Sequence, residues 1–214
     1  MKIVVIGATG ATGRLVVDQA IQRGHHVVAY TRRTAALEPK QGLSIVVGQL
    51  EDQVALGSTL RGADAVLCCL GTHSLRNVTL MQKSLPLIAR AMQSAGVDRL
   101  ILLSAYGVGE TARTASSFAR FLYRTIVSSV YNDKAASEVA LARTDVKWTG
   151  IYPVILTNGP LSEAVDVRPM SSVHKVSGLP KVSRADVARA MLDAAENEST
   201  IGQRLLVTAA GTVR

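Results

Sequence analysis

The chain opens with a β-branched run, Ile3 to Ile6, that passes without a linker into Gly7-Ala8-Thr9-Gly10-Ala11-Thr12-Gly13 and then into an amphipathic stretch. A strand, a glycine turn and a helix in immediate succession restrict the fold more than any other feature here, because in that context a glycine pattern signals a dinucleotide site. Gly7 suits the tight turn, Gly10 lets the backbone approach a pyrophosphate, and Gly13 lets the helix pack closely on the strand. The N–H groups of the first helical turn, around Ala11 and Thr12, have no partners inside the helix and face an anion. Thr9 lies within the same turn. The first gap is one residue wider than in the GxGxxG fingerprint.

The 214 residues suit one domain spanning 1–214 with a sizeable core, and 48% hydrophobic against 19% charged residues is the balance of a compact chain. Aromatics make up only 4%, so Val, Leu, Ile and Ala must fill the interior. The longest apolar run, Ala65 to Leu70, is too short to span a bilayer. The N-terminal apolar segment is broken by glycines and followed by Arg14, unlike a signal peptide, and the expected location is cytoplasmic. No Cys/His group has metal-ligand spacing, so no metal is expected. Cys68 and Cys69 are adjacent in a strand pattern and should face opposite sides of a sheet. The net charge of +8 is spread along the chain with no run of five basic residues, which fits attraction of small anions better than nucleic-acid binding.

Strand and helix patterns alternate. Strands are predicted at 2–6, 26–31, 43–47, 64–70, 99–104, 147–152 and 203–208. Helices are predicted near 12–23, 52–60, 79–95 and 184–196, with a long helical region over 115–144 and a loop-rich stretch over 153–182. Successive βα units with apolar strands specify an α/β fold, a single-domain, Rossmann-like, doubly wound parallel sheet. In such a fold ligands sit beyond the carboxyl ends of the strands, so the residues after each strand are the site candidates.

After the second strand come Arg32 and Arg33, about twenty residues past the glycine turn, where an NAD site carries an acid for the ribose. No acid is present, and guanidinium suits a 2′-phosphate, which points to NADPH. Gln49 or Leu50 is placed to border the adenine. Leu70, Gly71 and Thr72 follow the fourth strand; Gly71 permits close approach to the ribose and Thr72 offers a hydroxyl. His73 could reach a substrate or simply be exposed. Ser104, Ala105 and Tyr106 follow the fifth strand, which puts the Ser104 hydroxyl near the nicotinamide, able to orient a substrate, and makes Tyr106 a candidate substrate contact. Pro153, Val154 and Ile155 can wall the same site with backbone groups. Arg120 and Arg124 share a helix face. With Arg113, Phe118 and Phe121 they form either the rim of an acceptor pocket or a solvated basic face.

These segments, together with Val46-Val47-Gly48, Ala95-Gly96-Val97-Asp98 and Ser183-Arg184-Ala185-Asp186-Val187-Ala188, resemble the atypical short-chain dehydrogenase/reductase superfamily in its NAD(P)-binding, NmrA-like branch. Within it the chain is most similar to the flavin reductase/biliverdin-IXβ reductase family. That resemblance implies NADPH as cofactor, hydride transfer to a flavin or a linear tetrapyrrole as activity, Ser104 as the residue beside the nicotinamide, and a monomer. The superfamily alternatives are a non-catalytic NADP-binding redox sensor, or an epimerase or isoflavone-type reductase. Two places depart from the relatives. Short-chain dehydrogenases carry a Tyr four residues before a Lys, and Val130 stands there relative to Lys134. A histidine considered for proton handling after the sixth strand is matched by Val154. Lys134 itself either bonds the cofactor ribose or is solvated.

A charge-assisted hydrogen bond contributes roughly 1.5–3 kcal/mol. Replacing Arg32 or Arg33 by Ala is therefore expected to weaken NADPH binding about ten- to hundred-fold and leave NADH nearly unaffected in parallel cofactor titrations. An equal loss for both cofactors would remove these arginines from 2′-phosphate recognition.

Overall fold

A computed structural model describes residues 1–33 and 37–214. The strands are β1 (Lys2–Ile6), β2 (His26–Thr31), β3 (Leu43–Val47), β4 (Ala65–Cys68), β5 (Arg99–Leu103), β6 (Lys147–Pro153), β7 (Ile155–Thr157), β8 (Val165–Pro169), β9 (Lys181–Ser183) and β10 (Arg204–Ala209). The helices are α1 (Ala11–Gln22), α2 (Gln53–Leu60), α3 (Leu80–Ala95), α4 (Ser117–Thr125), α5 (Ser128–Leu141) and α6 (Arg184–Glu196). Eight strands form one sheet in the order β3-β2-β1-β4-β5-β6-β10-β8, parallel except for β8 against β10. The order reverses between β1 and β4, which creates a crevice at their carboxyl ends.

Alternate residues of each strand serve the two faces. Ile3 and Val5 pack with Val16, Val17 and Ala20 of α1 and Val187, Ala188 and Met191 of α6. Val4 and Ile6 pack with Leu56 and Leu60 of α2 and Leu85, Ile88 and Met92 of α3. Cys68 joins the second cluster and Cys69 the first, so the adjacent thiols do face opposite sides. Burial pushes both thiols up.

Three predicted elements differ. The stretch over 153–182 is not all loop: it contains β8, whose Val167 faces outward while Asp166 and Arg168 pair along the exposed edge, and the small parallel pair of β7 and β9. Charged side chains on an edge strand discourage further pairing. The helical region over 115–144 is preceded by a short 3-10 helix (Gly109–Thr114) and breaks between α4 and α5 at the β-branched run Thr125-Ile126-Val127, a poor helix former. The fourth strand is shorter than 64–70, because after Cys69 donates its N–H to the Ile6 carbonyl at 2.7 Å the chain leaves the sheet at Leu70. Among the described residues no helix is long and apolar enough to cross a membrane.

Two buried polar side chains tie elements together. Thr79, at the start of α3, makes no capping hydrogen bond through its side chain. The fully buried Asp133 of α5 does that work instead, accepting the N–H of Met81 at 2.8 Å and of Gln82 at 3.0 Å. Arg99 reaches the carbonyl of Ala194 at 2.6 Å and the hydroxyls of Thr149 and Thr200 at 2.9 and 2.8 Å, joining β5, β6 and the end of α6. Replacing Asp133 by Ala strands two N–H donors and is expected to cost about 2–3 kcal/mol. Thermal denaturation should fall by about 4–10 °C, with Asn in its place recovering part of the loss. An unchanged midpoint would show that α3 does not depend on this cap.

Candidate functional site

The glycine turn is a steric fit. Gly7 has φ +84°, and a Cβ on it would lie 2.7 Å from the Cys69 carbonyl carbon. A Cβ on Gly13 would lie 2.2 Å from the Gly7 oxygen. Gly7 therefore carries the tight approach of β1 to the chain leaving β4, and Gly13 seats α1 on the turn. Gly10 is the N-cap of α1 and has no side chain to cap it, and the first turn holds no acid. These free N–H groups and the positive end of the helix fit a pyrophosphate.

Above the turn is a cleft of about 450 Å³ at the β1/β4 switch point. Gly7, Thr9, Gly10, Arg32, Gln49, Leu50, Leu70, Gly71 and Thr72 all line it, so residues from four strand ends converge as the spacing predicts. Ala11, Thr12 and Gly13 form the helix start beneath. Arg33 is one residue outside, exposed, its N–H on the Thr31 hydroxyl at 3.3 Å. Tyr30 donates to the Gln49 carbonyl at 2.9 Å, and its ring packs where a Cβ on Gly48 would otherwise be. Tyr30 and Gly48 thus shape the wall of the cleft formed by β2 and β3, a pairing invisible without the register of the two strands. Three larger hollows among the described residues, of about 610, 630 and 800 Å³, lie at the opposite, amino edge of the strands and contain none of the glycine-turn residues, so chemistry rather than volume selects the cleft.

The carboxyl ends of β5 and β6, with Ser104, Ala105 and Pro153–Ile155, lie outside the cleft lining and are built differently from the expectation. Ser104 is buried at the end of β5, its N–H on the Ile151 carbonyl at 2.8 Å and its hydroxyl donated to Glu138 of α5. The Tyr152 hydroxyl donates to the other Glu138 oxygen at 2.7 Å. Burial pushes the Glu138 carboxyl up, against the lowering effect of those hydrogen bonds and of Lys134 and Arg204. Sequence reading missed Glu138. The available signal was its place four residues after Lys134, which puts both on one face of α5 with Asp133 and Ser137.

Lys134 is not solvated: it is buried, its Nζ donates to the Leu103 carbonyl at 2.9 Å, and burial lowers its pKa. Tyr131 spends its hydroxyl on the Tyr106 carbonyl at 3.0 Å, so it does not replace the missing tyrosine at Val130. Tyr106, read as a substrate contact, is instead buried, with its hydroxyl 2.9 Å from that of Thr114 and its ring edge-on to Tyr123 at 6.3 Å. Ala105 is half-buried against the core. The Pro153–Ile155 backbone is less available than expected: the Pro153 carbonyl accepts from Tyr106, the Val154 N–H goes to Val207, and the Ile155 N–H goes to Pro180.

His73 is exposed on the loop after β4, and the Thr72 hydroxyl accepts the Ser74 N–H at 3.0 Å. Arg113 does not join the rim. It pairs with Glu110 at 3.5 Å and lines the amino-edge groove with Lys147, Trp148 and Arg204, because the Gly109–Thr114 helix runs back toward that edge. Phe118, Arg120 and Arg124 do share α4, all exposed. Both phenylalanines of the chain, Phe118 and Phe121, are over 60% exposed there, while Ala119 and Tyr123 face inward.

This cleft on this sheet is the architecture of a nicotinamide-dinucleotide-binding protein. A family profile described as NAD(P)H-binding matches residues 7–198, and the chain belongs to that family. Among curated relatives, the photosystem II assembly factor Ycf39 of Synechocystis is 36% identical over 110 residues, 49% of this chain and 33% of that protein. The chain spans 60% or less of the length of such relatives, and 33% of Ycf39. Among solved structures, a short-chain dehydrogenase/reductase from Veillonella parvula in complex with NADP superposes with a TM-score of 0.83 at 16% identity, covering 100% of this chain and 96% of that one. ChuY, an anaerobillin reductase from Escherichia coli O157:H7, gives 0.79 at 19% identity, covering 99% and 98%. At these identities the two structures establish the shared fold.

Replacing Gly13 by Ala forces its methyl onto the Gly7 carbonyl and is expected to weaken NADPH binding more than a hundred-fold in a fluorescence titration, with little change at the amino edge of the sheet. Gly57→Ala, on α2 outside the cleft and with nothing within 4 Å of the added methyl, is the matched control for a glycine-to-alanine change. Equal affinities for the two variants would separate the glycine turn from cofactor binding.

Proposed function

We propose that this protein is an NADPH-dependent reductase that passes a hydride to a planar acceptor, either a flavin or a biliverdin-type linear tetrapyrrole. The observation that carries this reading is the transfer end itself. Its ordered hydroxyl is Ser104, held by Glu138, while Tyr131 is turned away onto a backbone carbonyl. Alcohol and ketone chemistry needs an acid at the reacting oxygen. A flavin or tetrapyrrole takes hydride at an already polarised centre, so proximity and orientation supply most of the catalysis.

In this reading the first turn of α1, with Gly7, Gly10 and Gly13, holds the pyrophosphate, and Thr9 lies against it. Arg32 and Arg33 choose NADPH over NADH by pairing with the 2′-phosphate. Gln49 and Leu50 border the adenine; Leu70, Gly71 and Thr72 border the ribose. When bound, the cofactor supplies the hydride. Ser104 orients the nicotinamide end, Val154 and its neighbours wall it, and Lys134, bonded to Leu103, stiffens the strand end beneath. Phe118, Arg120 and Arg124 of α4 offer rings and guanidinium groups suited to a flat, anionic acceptor. The reductase name of the ChuY neighbour is consistent with this choice of acceptor.

The test is NADPH oxidation with FMN, FAD, riboflavin and biliverdin IXβ offered separately, with NADH as control. Turnover specific to NADPH on at least one acceptor is expected, with Ser104→Ala lowering kcat about ten- to hundred-fold. Tight NADPH binding with no turnover on any acceptor would overturn the reductase reading in favour of a cofactor-binding redox sensor.

A further inference from the structure

Ser104, Glu138 and Tyr152 are 5%, 5% and 0% exposed, and they form a continuous hydrogen-bonded chain that the hydride step by itself does not require. Taking a carboxylate out of water is expensive, and such groups persist where they have work to do. The charged side chains that face Glu138 are Lys134, from its own helix, and Arg204, from β10. Lys134 is engaged by the Leu103 carbonyl and is itself faced by Cys68, Cys69 and Asp133. Arg204 lies beside the Tyr152 hydroxyl, 3.6 Å from Glu110, and lines the open groove at the amino edge of the sheet. The chain therefore runs from the end of β5 into the interior, where Arg204, which also borders the open groove at the amino edge, lies beside its far end.

We propose that Glu138 is the proton-holding residue of the transfer site, protonated while the bound nicotinamide is neutral and releasing that proton through the Ser104 hydroxyl when the ring becomes cationic. This rests on the reductase reading for where the nicotinamide lies. The step balances. The Ser104 Oγ–H bond breaks toward the acceptor while the Glu138 Oε1–H bond breaks toward Ser104 Oγ. The acceptor gains the hydride pair and this proton, NADPH is oxidised, and Glu138 is left as a carboxylate that accepts from Ser104 and Tyr152. The carboxylate regains a proton from solvent between turnovers. Burial holds the carboxyl up, so the proton is present at lower pH and is lost as pH rises through that raised value. A neighbouring cation favours the ionised form, which is the link to the redox state of the cofactor. Glu138 acts through Ser104 and is a positioning residue.

The test needs no acceptor. Titration calorimetry of NADPH and of NADP⁺, each in buffers of different ionisation enthalpy, counts the protons taken up on binding. The 2′-phosphate is common to both ligands and cancels in the difference. Wild-type protein is expected to take up more protons with NADPH than with NADP⁺, by as much as about one proton. Glu138→Gln should abolish the difference while binding both cofactors. Tyr152→Phe removes a donor to the ionised carboxyl, so it should move the difference to higher pH, and it serves where the Gln variant fails to fold. Equal proton counts in the wild type, or a difference that survives in Glu138→Gln, would overturn the proposal. A proton difference without flavin or biliverdin turnover supports the proton-holding role and removes the acceptor assignment; turnover without a proton difference does the reverse.

Discussion

The upper half of the molecule depends on how closely the end of β1 passes the chain leaving β4. A single methyl at Gly7 would intrude to 2.7 Å from the Cys69 carbonyl carbon and 2.9 Å from the Leu70 nitrogen. Because nothing intrudes, Cys69 bonds the Ile6 carbonyl, the two strands stay in register to their ends, and the chain diverges there in opposite directions. That divergence is the crevice. Gly13 repeats the economy one turn later, letting α1 sit on the Gly7 carbonyl with its free N–H groups at the crevice floor. In the proposed reading the anion site is thus made of backbone, and its specificity is delegated to side chains arriving from β2, β3 and β4.

Most of this was readable because it is local. The β-branched runs, the stop of α3 at Gly96 and the arginines after β2 follow from short-range rules of periodicity and turn chemistry. What escaped was set by distant partners. The cap on α3 comes from Asp133, more than fifty residues away, so no pattern around Thr79 predicts it. Lys134 and Glu138 look like an ordinary solvated i, i+4 pair. They are buried only because α5 lies along α3 with that face inward, and α5 lies so only because α4 ends at a β-branched run. The edge strand β8 carries alternating charge, which reads as loop until β10 is available to pair with it. Tyr106 follows a strand as a site residue should. Its side chain nevertheless turns into the interior, because Tyr123 and Tyr131 build an aromatic cluster there, where burial pushes Tyr123 up to about 12.

Two buried charged groups show how the sheet separates stability from chemistry. Arg99, at the amino end of β5, sits at the carboxyl end of α6, where a cation complements the helix dipole. It meets backbone carbonyls and threonine hydroxyls, with no carboxylate among its hydrogen-bond partners. Burial lowers its pKa, yet a guanidinium starts so high that it keeps its charge throughout any accessible range. It is a fixed cross-link. Glu138 lies toward the other end of the same strand, beside Ser104, and its two oxygens are hydrogen-bonded by neutral hydroxyl donors, with Lys134 and Arg204 as the facing charges. A carboxyl so placed can exist in either protonation state without losing its partners, because a serine hydroxyl can donate or accept. The same burial therefore has opposite consequences at the two ends of β5. It immobilises a charge where the strands begin, and it leaves one free to change where they end, which is where this fold places its ligands.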